Sequence, residues 1–135
     1  MWPTPTAVMA DGRRVESPAA ALQLFDGLGR HPVEACAFAY LDPEWRLLGL
    51  RHAVSRRADE VVLPFREVVR DVLLHDARLV VMAHNHPRGD HQPSRDDLTV
   101  TRRLAATLEA IGTRLIDHWV LAAGGATSMR AAGLL

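Results

Sequence analysis

Residues 80–97, VVMAHNHPRGDHQPSRDD, place three of the chain's seven histidines, His84, His86 and His91, beside Asp90, Asp96 and Asp97. Imidazole nitrogen and carboxylate oxygen are donors that zinc accepts at about 2.0–2.2 Å, and a catalytic zinc site keeps a fourth position for water. The two leading histidines follow the apolar run LVVMA, 79–83, which suits a strand covered on both faces. Residues two apart on a strand share a side. If the strand continues to residue 86, both rings can meet one cation. A third ligand has to come from elsewhere, and the chain offers Asp97, past a loop containing Pro87, Gly89 and Pro93. Ser94 is placed to cap the following helix, which puts Asp97 in its first turn.

The same residues have a purely structural reading. Ser94-x-x-Asp97 is a variant capping box, with Asp where Glu or Gln is usual. Asp97 would then do no more than favour the helix N-terminus, by about 0.3–1 kcal/mol. Spacing alone leaves both readings open.

The surrounding elements must position this set. Met1 to Pro5 read as a loose lead-in, and the segment 1–16 as a whole as leading into the domain. Ser17-Pro18 looks like a helix start, followed by Leu22, Phe25 and Leu28 on one face, with Gly27 and Gly29 as the stop. Residues 35–41 and 46–54 read as a strand pair around the turn Asp42-Pro43-Glu44-Trp45. Phe65, Val68, Val69, Val72 and Leu73 recur at helical spacing after Pro64, predicting a helix with one buried stripe. A helix over 95–111 ends at Gly112, and a strand over 114–122 turns at Gly124-Gly125. The order helix, hairpin, helix, strand, helix, strand gives an α/β (α+β) fold, a mixed sheet with packed helices. At 135 residues, one domain spanning 1–135 is expected.

Composition narrows the classes. Apolar residues make up 48% and charged residues 24%, a globular balance. No apolar run of about 18 residues offers a membrane span, and no signal peptide is readable. The single cysteine, Cys36, excludes an internal disulfide and fits a reducing compartment, so cytoplasmic residence is expected. A formal net charge of zero argues against a general nucleic-acid binder. All sixteen basic residues are arginine.

The spaced set His84-x-His86, Ser94 and Asp97 resembles the zinc motif of the JAB/MPN (JAMM) metalloproteases. The stretch HNHPRGDHQPSRDDLTVTRRL is closest to the RadC-like branch, with VEACAFAYLD before it and LIDHWVL after it in matching places. The resemblance covers roughly 17–135 and implies a cytidine-deaminase-like sheet with zinc on His84, His86, Asp97 and a water. It also implies that Glu34 takes a proton from that water and passes it to the leaving group. Ser94 would donate to the oxyanion formed on an amide carbonyl, so the implied substrate is a peptide or protein, cut at a peptide or isopeptide bond. Two further positions are singled out: His118 as a support for a metal ligand, and Arg88, where the branch usually has serine, as an exposed residue able to contact substrate.

Two other functions compete. One is a DNA-associated repair or mobile-element accessory, which an arginine patch of Arg56, Arg57, Arg102 and Arg103 would favour. The other is a non-catalytic MPN scaffold, against which the intact ligand set speaks. The adjacent letters HNH do not make an HNH nuclease. A zinc nucleobase deaminase needs two cysteines that the chain lacks, and a thermolysin-like peptidase needs His-Glu-x-x-His. Exposed edge strands leave room for a homo-oligomer.

Overall fold

The computed structural model describes residues 7–9, 12–54 and 63–135. Its centre is a six-stranded sheet made of β1 (Ala7–Met9), β2 (Ala35–Leu41), β3 (Leu47–Val54), β4 (Leu79–Asn85), β5 (Arg114–Ala122) and β6 (Gly125–Ser128). The strands lie in the order β1-β3-β2-β4-β5-β6. All neighbours are antiparallel except β4 and β5. That parallel pair needs a crossover, and α3 (Arg95–Ala110) supplies it. The result is the mixed sheet with packed helices that the order of elements predicts.

The central strand β2, ACAFAYL, is buried at every position, and its alternation sorts two different layers. Ala37, Ala39 and Leu41 face a core with Phe25, Leu28, Val81 and Ala83. Phe38 and Tyr40 face the other core, with Val68, Val72, Met82, Leu104 and Leu108. Alanines on the first face let the N-terminal segment lie close to the sheet. At Gly29 a side chain is impossible without a shift, because its Cβ would stand 3.1 Å from the Ala122 carbonyl oxygen.

The first helix departs from expectation. Ser17 caps it, its Oγ accepting Ala20 N–H at 3.0 Å, but α1 is a single turn, Pro18–Ala21. Two 3-10 turns follow, Leu22–Phe25 and Leu28–Arg30. Asp26 is extended and Gly27 takes φ 85°, so the chain bends at the glycine in order to seat both Phe25 and Leu28. The helix α2 (Phe65–His75) buries Val68 and Val72, yet Leu73, expected in the buried stripe, is 62% exposed beside Leu74 at 72%. Its inward face also carries Asp71, which accepts from Tyr40 Oη at 2.7 Å and pairs with the Arg51 guanidinium.

More of the lead-in is structured than expected. Ala7–Met9 pair with Arg51–Gly49 of β3, and Val15 is buried, its N–H bonded to Trp45 O at 2.7 Å. Met1 to Pro5 lie outside the described residues. The strand β6, which alternation did not reveal, forms because the turn at Gly124-Gly125 folds back onto Trp119–Ala122. No helix among the described residues is long and apolar enough to cross a membrane.

Candidate metal centre

Three expected ligands meet where β4 ends and α3 begins. The strand continues two residues past its apolar run, to Asn85. His84, pointing to the α3 side, is fully buried. His86 lies just beyond the strand, held by its N–H on Leu121 O at 2.8 Å, and remains half-buried. Their Nε2 atoms are 2.9 Å apart. Asp97 closes the triangle, with Oδ1 at 3.1 Å from His84 Nε2 and Oδ2 at 3.1 Å from His86 Nε2. Glu34, half-buried at the entry to β2, brings a carboxylate oxygen within 4.8 Å of both rings.

Asp97 caps α3 and faces both histidines at once. It occupies a true capping box: Ser94 Oγ accepts Asp97 N–H at 3.0 Å, and Asp97 Oδ2 accepts Ser94 N–H at 2.7 Å. A carboxylate oxygen has several lone pairs, so the cap does not withdraw it from the histidines. Nor does the cap consume Ser94's hydroxyl proton, because its oxygen acts there as acceptor. The hydroxyl of this exposed residue is still able to donate.

The donor set fits a divalent cation. His86 Nδ1 lies 2.6 Å from the Asp90 carbonyl oxygen, which can only accept, so Nδ1 carries the ring proton. In the neutral ring Nε2 is then a lone pair. Two ring nitrogens and a carboxylate this close need positive charge among them, either a proton or a metal ion. Tetrahedral zinc with nitrogen ligands at about 2.0–2.1 Å separates its ligands by about 3.3 Å, so the observed triangle needs only a few tenths of an ångström of relaxation.

Electrostatics follow the same geometry. Burial alone would push the Asp97 carboxyl up, but the adjacent His84 and His86 rings and the Ser94 backbone N–H hold it well below the usual carboxylate range. The bond to Asp97 raises His86 against its own partial burial. Burial raises Glu34, offset in part by His84 and His86. A carboxylate with a raised pKa beside these two histidines is suited to take and release a proton.

The other singled-out residues separate. His118, in β5, is 1% exposed and its Nε2 lies 2.6 Å from His84 Nδ1. Arg88 is exposed on the loop after His86. His91 is half-buried, with Nδ1 2.7 Å from Thr127 Oγ1, and so ties the loop to β6. Arg102 and Arg103 are exposed on α3, and Arg103 lies 5.3 Å over the Phe65 ring. Arg56 and Arg57 lie outside the described residues.

Two residues that the sequence did not flag serve the site. Asn85, between the histidines, points to the opposite face. There it accepts Ala35 N–H at 2.6 Å and donates to the carbonyls of His31 at 3.1 Å and Val33 at 2.9 Å, so the segment bearing Glu34 is pinned to β4. Thr101 stands one helical turn after Asp97, buried, between that residue's carbonyl and His118. The i, i+4 spacing from Asp97 places it on the same helix face and was the available signal.

A family model described as a RadC-like JAB domain matches residues 15–134. Among curated relatives, the UPF0758 protein of Albidiferax ferrireducens is 43% identical over 108 residues, 80% of this chain and 46% of its own length. That of Variovorax paradoxus is 39% identical over 108 residues, 80% of this chain and 48% of its own. That of Marinobacter nauticus is 35% identical over 128 residues, 94% of this chain and 57% of its own. This chain thus spans about half the length of the curated relatives it matches. Because the match runs through nearly every element of the sheet and through the residues gathered at its end, the chain belongs to the RadC-like JAB domain family, a branch of the JAB/MPN superfamily.

Proposed function

We propose that the chain is a zinc-dependent hydrolase of peptide or isopeptide amide bonds, acting in the cytoplasm. The observation that carries this reading is the triangle of His84 Nε2, His86 Nε2 and an Asp97 carboxylate at 2.9, 3.1 and 3.1 Å. These three residues would hold the ion. When bound, it supplies Lewis-acid polarisation of a carbonyl and lowers the pKa of water to about 7.

The chain's own residues then have distinct tasks. Glu34, within 4.8 Å of both rings, accepts the proton released by the attacking water and returns it to the leaving amine. Its raised pKa favours the return step. Ser94, whose oxygen is occupied as an acceptor by Asp97 N–H, directs its hydroxyl proton to the carbonyl oxygen as charge develops there. Arg88, exposed at the rim, is available to a substrate carboxylate.

The scaffold alternative has the intact donor set against it. A DNA-associated role would draw on Arg102 and Arg103, one of which is already engaged on Phe65.

Replacing Glu34 by Gln separates binding from chemistry. Zinc should remain bound, and cleavage of any peptide or isopeptide substrate turned over by the parent should fall at least a hundredfold. Equal cleavage by the Gln variant would refute Glu34's role.

A further inference from the structure

We infer that Thr101 and His118 fix which nitrogen of His84 carries its proton, so that the buried Nε2 is delivered to the metal as a lone pair. The inference rests on the metal-site reading only for its purpose; the proton order follows from donor and acceptor chemistry.

The order begins at a group that can only accept. Thr101 Oγ1 lies 2.5 Å from the Asp97 carbonyl oxygen and 2.6 Å from His118 Nδ1. Its other neighbour, Met129 Sδ at 3.7 Å, is a weak acceptor. The hydroxyl proton therefore goes to the carbonyl, and the Thr101 oxygen must accept from His118. That puts a proton on His118 Nδ1.

His118 is 1% exposed, and among the described residues no carboxylate oxygen is hydrogen-bonded to its ring. A buried imidazolium without such a partner is costly, so the ring is neutral and its Nε2 accepts. The atom that Nε2 faces, at 2.6 Å, is His84 Nδ1, which must be the donor. His84 Nε2 is then left without a proton, 2.9 Å from His86 Nε2 and 3.1 Å from Asp97 Oδ1.

The circuit closes on one residue. Asp97 starts it with its backbone carbonyl and meets it again with its carboxylate on the far side of His84. Reversing every proton would leave the Thr101–Asp97 contact without a hydrogen and would place an N–H of His84 in the ligand position. Thr101 and His118 are thus positioning residues: neither reaches the metal position, and both act through His84. Metal-ligating histidines held this way lose about 10–100-fold in affinity when the outer partner is removed.

The test uses the full chain, Thr101→Val and Thr101→Ser, with zinc as the probe. The first readout is the ring 15N shifts and two-bond 1H–15N pattern of His84 in metal-free protein in mildly alkaline buffer. The parent and Thr101→Ser should show His84 protonated at Nδ1. Thr101→Val removes the acceptor for His118 Nδ1, freeing that ring to protonate Nε2, and should move His84 to the Nε2–H form. Zinc affinity, by competition with a chromogenic chelator, should fall about 10–100-fold in Thr101→Val and stay near the parent value in Thr101→Ser.

Nδ1–H retained in Thr101→Val together with parental zinc affinity overturns the inference. So does Nε2–H in the parent itself, a result that needs no variant to fold. A parent that shows Nδ1–H but binds no zinc refutes the metal reading and leaves the proton order standing.

Discussion

Asn85 Oδ1 accepts the backbone N–H of Ala35 at 2.6 Å. The residue lodged between two candidate ligands on β4 therefore fixes the residue that follows Glu34 on β2. Strand alternation makes this work: His84 points to the α3 face while Asn85 points to the other. The two Nδ2 hydrogens reach the carbonyls of His31 and Val33, so both donors and the oxygen of this side chain are used on the entry to β2.

Replacing Asn85 by Asp should test that clamp. The carboxylate keeps the acceptor for Ala35 but confronts two carbonyl oxygens that it cannot serve. Losing these partly buried bonds costs about 1–3 kcal/mol in all. The variant should lose about that much in urea unfolding, and amide exchange should accelerate at residues 31–35. Unchanged stability and exchange would mean that packing alone holds this segment.

Asp97 caps α3 and faces both histidines, and a pair of variants separates the cap from the proposed ligand role. Ser94→Ala removes the cap oxygen and should cost about 1 kcal/mol of stability, with little change in zinc affinity. Asp97→Asn replaces the carboxylate facing both histidines by a neutral amide and should lower zinc affinity at least tenfold. Calorimetry with zinc, alongside urea unfolding, reads both. If Asp97→Asn costs only a fraction of a kcal/mol and leaves zinc binding intact, Asp97 is a cap and nothing more.

Cys36 gives a pH-dependent check on the sheet itself. Burial, with Glu34 nearby, pushes its thiol from 9.0 up to about 12. The native thiolate population in ordinary alkaline buffer is thereby reduced roughly a thousandfold, so labelling with a thiol reagent should proceed only through unfolding. The sign for stability follows: a thiol raised in the folded state contributes fully below 9.0, and its contribution is lost as pH rises from 9.0 towards 12. Rapid labelling without urea would place Cys36 outside the core.

Much of this arrangement was legible in the residues, for identifiable reasons. LVVMA announces a strand covered on both sides, and His84 and His86 at its end carry their spacing with them. Ser94 and Asp97 mark a helix start by cap chemistry that depends on four consecutive residues. What was not legible depends on distant partners. Asn85 reads as a spacer until the 31–35 segment is placed against it, and Thr101 reads as a neutral helix position until β5 brings His118 to it. Leu73 satisfies helical periodicity and is still exposed, because α2 turns Asp71 inward to meet Tyr40 and Arg51. The break after Ala21 likewise reflects tertiary demand, with Phe25 and Leu28 both required against the alanine face of β2.

The most direct measurement is the metal content of protein carrying no added histidines, compared with His84→Ala after both are supplied with zinc and freed of excess. About one zinc per chain, lost in the variant while the fold is retained, is the predicted result. A parent that holds no zinc under those conditions would contradict the account, leaving His84, His86 and Asp97 as a hydrogen-bonded helix cap.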